Sequence, residues 1–277
     1  RSFSFPTIAL RHLNLDTRID TVFLHNARIA YSEYSPVTKL RGQVFFDQIE
    51  GVITNVTNDS AALAKNPNSK TTLTGLVMGR GRFNVDLDLK LTDQSGAFKL
   101  NGSLGNMNAS LFNQILRPLT LVQVRTGFIE EMQFAFHGNV KSVQGKLSAK
   151  YNDLKISILS KKENSSKLKK MGIASMAANV LFLKSENPSP GQRLRIAQID
   201  YTRPDSASFI NMNWKGMLTG LRDLVGLDPK TQHIIEVKLR EFKIVKAERE
   251  IRREERRRLD RVDRSAGEHL HARDDEG

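Results

Sequence analysis

The sequence predicts a mostly β fold with helices (α+β): a long, curved antiparallel sheet, open enough to form a groove, with a few packing helices and a charged C-terminal helix. Three observations predict it. Phe83, Val85, Leu87, Leu89 and Leu91 alternate with Asn84, Asp86, Asp88 and Lys90, the period of a strand with one apolar and one charged face. The alternation recurs at Met132, Phe134 and Phe136, at Val143, Gly145, Leu147, Ala149 and Tyr151, and at Leu154, Ile156 and Ile158. Short turn-forming stretches, Asp93-Gln94-Ser95-Gly96, Gly138-Asn139 and Asn152-Asp153, stand between such segments and imply a meander of neighbouring antiparallel strands.

The elements follow in chain order. Ile8, Leu10, Leu13 and Leu15 read as extended, and residues 21–34, 40–55, 71–76, 82–91 and 97–104 read as strands, with a polar loop at 58–70. Gly79 and Gly81, on either side of Arg80, suit a bulge or sharp bend. Residues 108–119 carry Leu111, Ile115 and Leu119 at helical spacing, with Asn108 or Ser110 as cap and Pro118 as the stop, so a short helix interrupts the sheet. Residues 1–160 thus form the sheet region.

Residues 161–230 mix elements and complete the domain. A helix is expected over 165–178 and a strand over 179–184, with the turn-rich 187–191 returning the chain into a hairpin partner at 193–202. Residues 206–225 form a second helix with Phe209, Ile210, Trp214, Met217, Leu218, Leu221 and Leu224 along one side and Lys215, Arg222 and Asp223 elsewhere. That stripe either packs on the sheet or lies on a bilayer, where Phe209, Trp214 and Leu218 would make the membrane contact. Residues 231–277 are a charged tail: a solvated helix over 235–264 with a thin apolar seam of Leu239, Phe242, Val245 and Ile251, frayed after Ser265.

Composition narrows the function classes. The 277 residues include 43 Lys and Arg against 30 Asp and Glu, a net of +13. The tail from Thr231 holds 13 basic and 12 acidic residues, which leaves 30 basic and 18 acidic ones, a net of +12, in the body. Such a body suits an anionic partner, a membrane surface or a nucleic acid. Nucleic acid is disfavoured, because the four Tyr and one Trp form no aromatic-basic cluster on which bases would stack. With no cysteine there is neither a disulfide framework nor a Cys-based metal site. No apolar run approaches the roughly 20 residues of a spanning helix. The chain begins at Arg1 and runs at once into patterned sequence, so it is expected to be the C-terminal piece of something longer.

Little points to catalysis. His12, His25, His137, His233, His269 and His271 make no metal-binding pair on a shared helix face. Gly75, Gly79 and Gly81 lack the spacing and the Lys-Ser/Thr of a phosphate-binding loop. Asp86 and Asp88 share one face of a strand, where alternation alone accounts for them. Asn55-Val56-Thr57 and Asn108-Ala109-Ser110 match glycosylation acceptors formally. No catalytic residue, metal or cofactor is expected.

The order NMNASLFNQILRPLTLVQVRTGFIEEMQFAFHGNVKSVQGKLSAKYNDLKISIL, then a helix, NVLFLKSENP, a strand ending in Arg203-Pro204, and SFINMNWKGMLTGL, resembles the C-terminal region of large AsmA-like bacterial envelope proteins of the Bacteroidetes type. The resemblance runs from about Val44 to Leu227, with Arg125-Thr126-Gly127-Phe128, Gly138-Asn139, Gly145 and Tyr151-Asn152-Asp153-Leu154-Lys155 its most specific pieces. It implies a protein anchored in the inner membrane by an upstream segment, reaching through the periplasm as a β-sheet groove, and engaged in outer-membrane biogenesis and phospholipid transport. Its partners would be phospholipid, an anionic membrane surface or outer-membrane assembly proteins. Phe83, Val85, Leu87, Leu89, Phe98, Leu100, Phe134 and Phe136 would then line a path for acyl chains, basic residues at the rim attracting headgroups. The same side chains would form an ordinary core if the helices close over the sheet, and both readings stay open at the level of sequence. A purely structural envelope scaffold is the remaining alternative.

Overall fold

Among the described residues alternation becomes nine strands: β1 (Arg18–Tyr34), β2 (Arg41–Thr57), β3 (Asn68–Val77), β4 (Gly81–Lys90), β5 (Phe98–Asn108), β6 (Val122–Gly138), β7 (Ser142–Lys161), β8 (Leu168–Lys170) and β9 (Ile196–Thr202). The computed structural model describes residues 5–36, 38–161, 168–170, 184–227, 244, 248–249 and 251–256. Strands β1 to β7 lie side by side in chain order, every pair antiparallel. The far edge of β7 is shared: β9 pairs with its residues 142–148 and β8 with 159–161.

Register aligns the apolar side chains in rows across the sheet, because directly paired residues point to the same face. One row runs Leu73, Val85, Gly102, Phe134, Leu147, Ala197; the next runs Thr71, Leu87, Leu100, Phe136, Gly145, Ile199. Glycines on this face are seats for neighbouring rings. Phe83 lies over Gly75, Phe98 over Gly138 and Phe134 over Gly102.

Bulges bend the long strands. Asn26 and Gln48 adopt positive φ where the β1–β2 and β2–β3 registers slip, and an extra residue increases local twist and bend. Glu50 secures the first, accepting from Asn26 N at 3.0 Å and meeting His25 Nδ1 at 2.7 Å. These contacts hold its carboxyl below the usual range, Asn26 N–H contributing most.

Among the described residues the sheet is accompanied by the helices α1 (Pro6–Arg11), α2 (Ser60–Lys65), α3 (Asn113–Thr120) and α4 (Phe209–Leu224). Helix α3, entered through a 3-10 turn at Ala109–Phe112, packs on β2 and β6, where Ile115 is fully buried. Asn113 substitutes for a strand partner, its Nδ2 donating to Val124 O and its Oδ1 accepting from Val124 N, both at 2.8 Å. Helix α4 packs on β7 and β9. It is capped by Ser208, whose Oγ accepts from Asn211 N at 3.2 Å. Arg203 joins the entry to α4 to the β6–β7 turn by donating to Val140 O, Asp205 O and Ala207 O, with its guanidinium 5.1 Å from the Phe5 ring.

Several elements differ from expectation for local reasons. Residues 8–15 are not a strand. Pro6, preset for a first helical turn, starts α1, and Phe5 and Ile8 are buried on its inner side. The polar loop contains α2 because Asp59 accepts from Ala62 N at 2.7 Å as an N-cap. Of the bulge or sharp bend expected at Gly79 it is the bend that forms, a turn in which Met78 and Gly79 both take positive φ. Pro118 lies inside α3, which ends at Leu121 in the left-handed conformation. Asn152-Asp153 is no hairpin: β7 continues through it with Asp153 at φ 47, opposite a slip at Gly127 in β6. Residues 168–170 are strand where the sequence predicts a helix, and the rest of 165–178 lies outside the described residues. So do 179–183, the expected partner of 193–202; among the described residues β9 pairs with β7.

The chain divides into two compact units, Arg1–Asp228 and Pro229–Gly277, so residues 1–160 and 161–228 belong to one body. In the second unit Ile244, residues 248–249 and residues 251–256 are helical and exposed, with Arg252 3.7 Å from Glu248 one turn away. Leu239, Phe242 and Val245 of the expected seam lie outside the described residues.

Candidate functional site

The apolar face of the sheet is covered unevenly. Toward the β4–β5 turn, Leu89, Phe98 and Val143 are buried, and toward the β3–β4 turn Phe83, Leu104, Met132 and Ala149 are buried. On β7 and β9, beneath α4, Leu147, Ala197 and Ile199 are buried too. Between these covered parts Leu73, Val85, Leu87, Leu100 and Phe134 are only half-buried. They lie on β3 to β6, a strip about 14 Å across at ~4.8 Å per strand.

The eight residues singled out in the sequence therefore separate. Phe83, Leu89, Phe98 and Phe136 are core, and Val85, Leu87, Leu100 and Phe134 belong to the half-buried strip. Leu73 escapes the sequence pattern, because β3 alternates leucine with threonine and glycine and is less apolar than its neighbours.

Helix α4 borders this strip. Gly216 and Gly220 seat it on Val143, Leu147 and Ile199, and larger residues there would collide with those side chains. A flank turned away from these glycines meets the opposite end of the strand order: Asn211 Nδ2 donates to Tyr31 Oη at 2.8 Å, and Lys215 Nζ lies 2.8 Å from Glu33 Oε1. Since β1 and β9 are the first and last strands among the described residues, these contacts require a strongly curved sheet. Among the described residues β1 pairs with β2 alone, so side chains bring the two ends together without closing a barrel.

Of the three residues considered for membrane contact, Leu218 is buried, and Phe209 stacks edge-on against Phe5 and Phe98 with centroids 5.6 and 4.9 Å apart. Trp214 is half-buried against the core with Nε1 shut off from solvent. Apart from Ile210, which is 51% exposed, the stripe is turned to the protein, the sheet-packed arrangement of the two considered. A bilayer contact through these residues requires α4 to leave the sheet.

Electrostatics follow from the seam. Burial, followed by its hydrogen bond and charge relation with Glu33, pushes the Tyr31 phenol up to about 12 against a lowering contribution from Asn211. Tyr201 on β9 is also raised, by burial and then by Glu33. Arg222, in the last turn of α4, is half-buried, and burial holds it below its ordinary value.

The remaining candidates have structural occupations. Asp86 accepts from Thr72 Oγ1 at 2.8 Å on the outer face, and Asp88 stands opposite Lys70 and Lys99 in the strand register. His25 contacts Glu50, and His137 is exposed on β6. Asn55 Nδ2 donates to Asn66 O and Asn68 O, both at 2.8 Å, while Asn108 caps the 3-10 turn. Among the described residues no group of three or more His, Asp or Glu is placed to hold a metal ion, and no helix is long and apolar enough to cross a membrane. Comparison with protein families, with curated proteins and with solved structures returned no match.

Proposed function

We propose that this chain is a non-enzymatic module of the cell envelope, of the AsmA-like kind, that takes phospholipid acyl chains on the concave face of its sheet during transport between membranes. One observation carries the reading: on the apolar face, Leu73, Val85, Leu87, Leu100 and Phe134 form a strip that is only half-buried. Each methylene that leaves water there contributes about 0.8 kcal/mol. The net charge of +13 suits an anionic membrane surface. A nucleic-acid function is less well served, since Asp86 and Asp88 interrupt the outward face of the central strand with negative charge.

The test is lipid extraction and native mass spectrometry of the purified chain, repeated for Leu87→Asp. Expected are co-purifying phospholipid in the parent and its loss in the variant, with a sheet-like circular dichroism spectrum in both. A variant that unfolds would place Leu87 in an ordinary core, because an unpaired charge at a closed position costs several kcal/mol. A parent free of lipid that also fails to take any from vesicles would overturn the reading.

A further inference from the structure

Asn211, Lys215, Leu218 and Arg222 follow one another at helical spacing and share one flank of α4. That flank meets β1 through Asn211 and Lys215. Arg222 stands two turns beyond Lys215, about 10 Å along the axis. Among the described residues no hydrogen bond or ion pair reaches its guanidinium, although the side chain is half-buried. Glu33, the carboxylate of the seam, is held by Lys215 at 2.8 Å and by Tyr31 Oη at 3.0 Å.

Capping does not account for this cation either. The carbonyls at the end of α4 have other donors: Leu224 O accepts from Tyr151 Oη at 3.1 Å, Leu221 O from Val225 N at 3.1 Å, Asp223 O from Gly226 N at 3.0 Å and Arg222 O from Leu227 N at 2.7 Å. A half-buried guanidinium is normally paired, because its desolvation is otherwise uncompensated. On the adjoining flank of the helix lie Trp214, Leu218 and Leu221, all packed into the core region. Among the described residues this cation therefore has no anion, and it borders an apolar surface.

We propose that Arg222 anchors the anionic head of the bound amphiphile, taking a phosphate through its guanidinium while the acyl chain lies along the half-covered strip. This assignment rests on the lipid reading above. It adds headgroup selection, since a planar fork of donors favours a phosphate over a neutral head.

Isothermal titration of the full chain with lysophosphatidic acid, with monoacylglycerol of the same chain length and with inorganic phosphate separates the possibilities, each lipid kept below its aggregation concentration. Expected is binding of lysophosphatidic acid about tenfold or more tighter than of monoacylglycerol, with no measurable binding of inorganic phosphate. Arg222→Gln is expected to bring the two lipids level by weakening the phosphate-bearing one alone, and Arg222→Lys to keep part of the preference. Equal binding of the two lipids by the parent chain would overturn the anchor and leave the acyl-chain reading standing, and this comparison needs no variant to fold. A preference that survives in Arg222→Gln would also overturn it and assign Arg222 a structural role. Phosphate bound as tightly as the lipid would replace the proposal with a free-anion site. Binding of neither lipid would remove the lipid reading itself.

Discussion

Asn211, in the first turn of α4, donates through Nδ2 to the phenol of Tyr31 on the first strand, 2.8 Å away and 180 residues distant in sequence. One turn further, Lys215 meets Glu33 at 2.8 Å with both side chains about three-quarters buried. Tyr31 Oη also donates to Glu33 at 3.0 Å, so the four groups form one network. Groups that share a network couple energetically. They hold the two ends of the strand order together without a backbone ladder between them.

Breaking this network is expected to destabilise the first unit. Glu33→Gln and Lys215→Met should each cost about 0.5–1.5 kcal/mol in urea unfolding, and the double variant should cost less than their sum. Strict additivity of the two losses would show that the pair contributes nothing as a pair.

Tyr31 makes the stability sensitive to alkali. Its folded pKa, pushed up to about 12, exceeds its ordinary value of 10.0. Below the ordinary value both states hold the proton and the contribution is complete. Between about pH 10 and 12 the unfolded chain loses the proton first, so stability falls as pH rises. The urea midpoint should decline through this window and decline less steeply in Tyr31→Phe. Part of the slope should remain, because burial raises Tyr151 and Tyr201 as well.

Gly102 seats the ring of Phe134, and a Cβ there would run into that ring and come within 2.7 Å of Asn84 O. Gly102→Val should lower stability by about 1–3 kcal/mol through overpacking. Phe134→Ala should cost about 3–5 kcal/mol if the ring is closed in and less if the strip is open to solvent. The double variant, in which the valine fills space the ring has vacated, should lose less than the two singles together. Thermal melting of the four chains reads out both the seat and the openness of the strip.

Much of the sheet is legible in the amino-acid sequence. In β4 and in the inner part of β6, alternating side chains declare strand and face together, since a residue on a pleated strand has only two sides to occupy. Helix α4 is legible for the comparable reason that its apolar residues recur at helical spacing and Ser208 caps it. The errors fall where a local contact outweighs the pattern. Asp59 capping α2 and Pro6 starting α1 turn polar or alternating sequence into helix, and the left-handed Asp153 makes one strand of an expected two.

By itself the sequence determined most of the strands of the central sheet, which of their faces is apolar, and that α4 has a stripe to bury, because these depend on periodicities of a few residues. Only the tertiary structure decided which parts of the apolar face are covered. Leu87 and Leu89 are indistinguishable by pattern, yet one is half-buried and the other buried. That difference depends on where the helices come to rest, which bulges, glycine seats and the Tyr31–Asn211 and Glu33–Lys215 contacts settle across long separations in the chain. Arg222 reads in the sequence as one more surface cation, and its half-burial with no counter-charge among the described residues emerges only once α4 is set against the sheet.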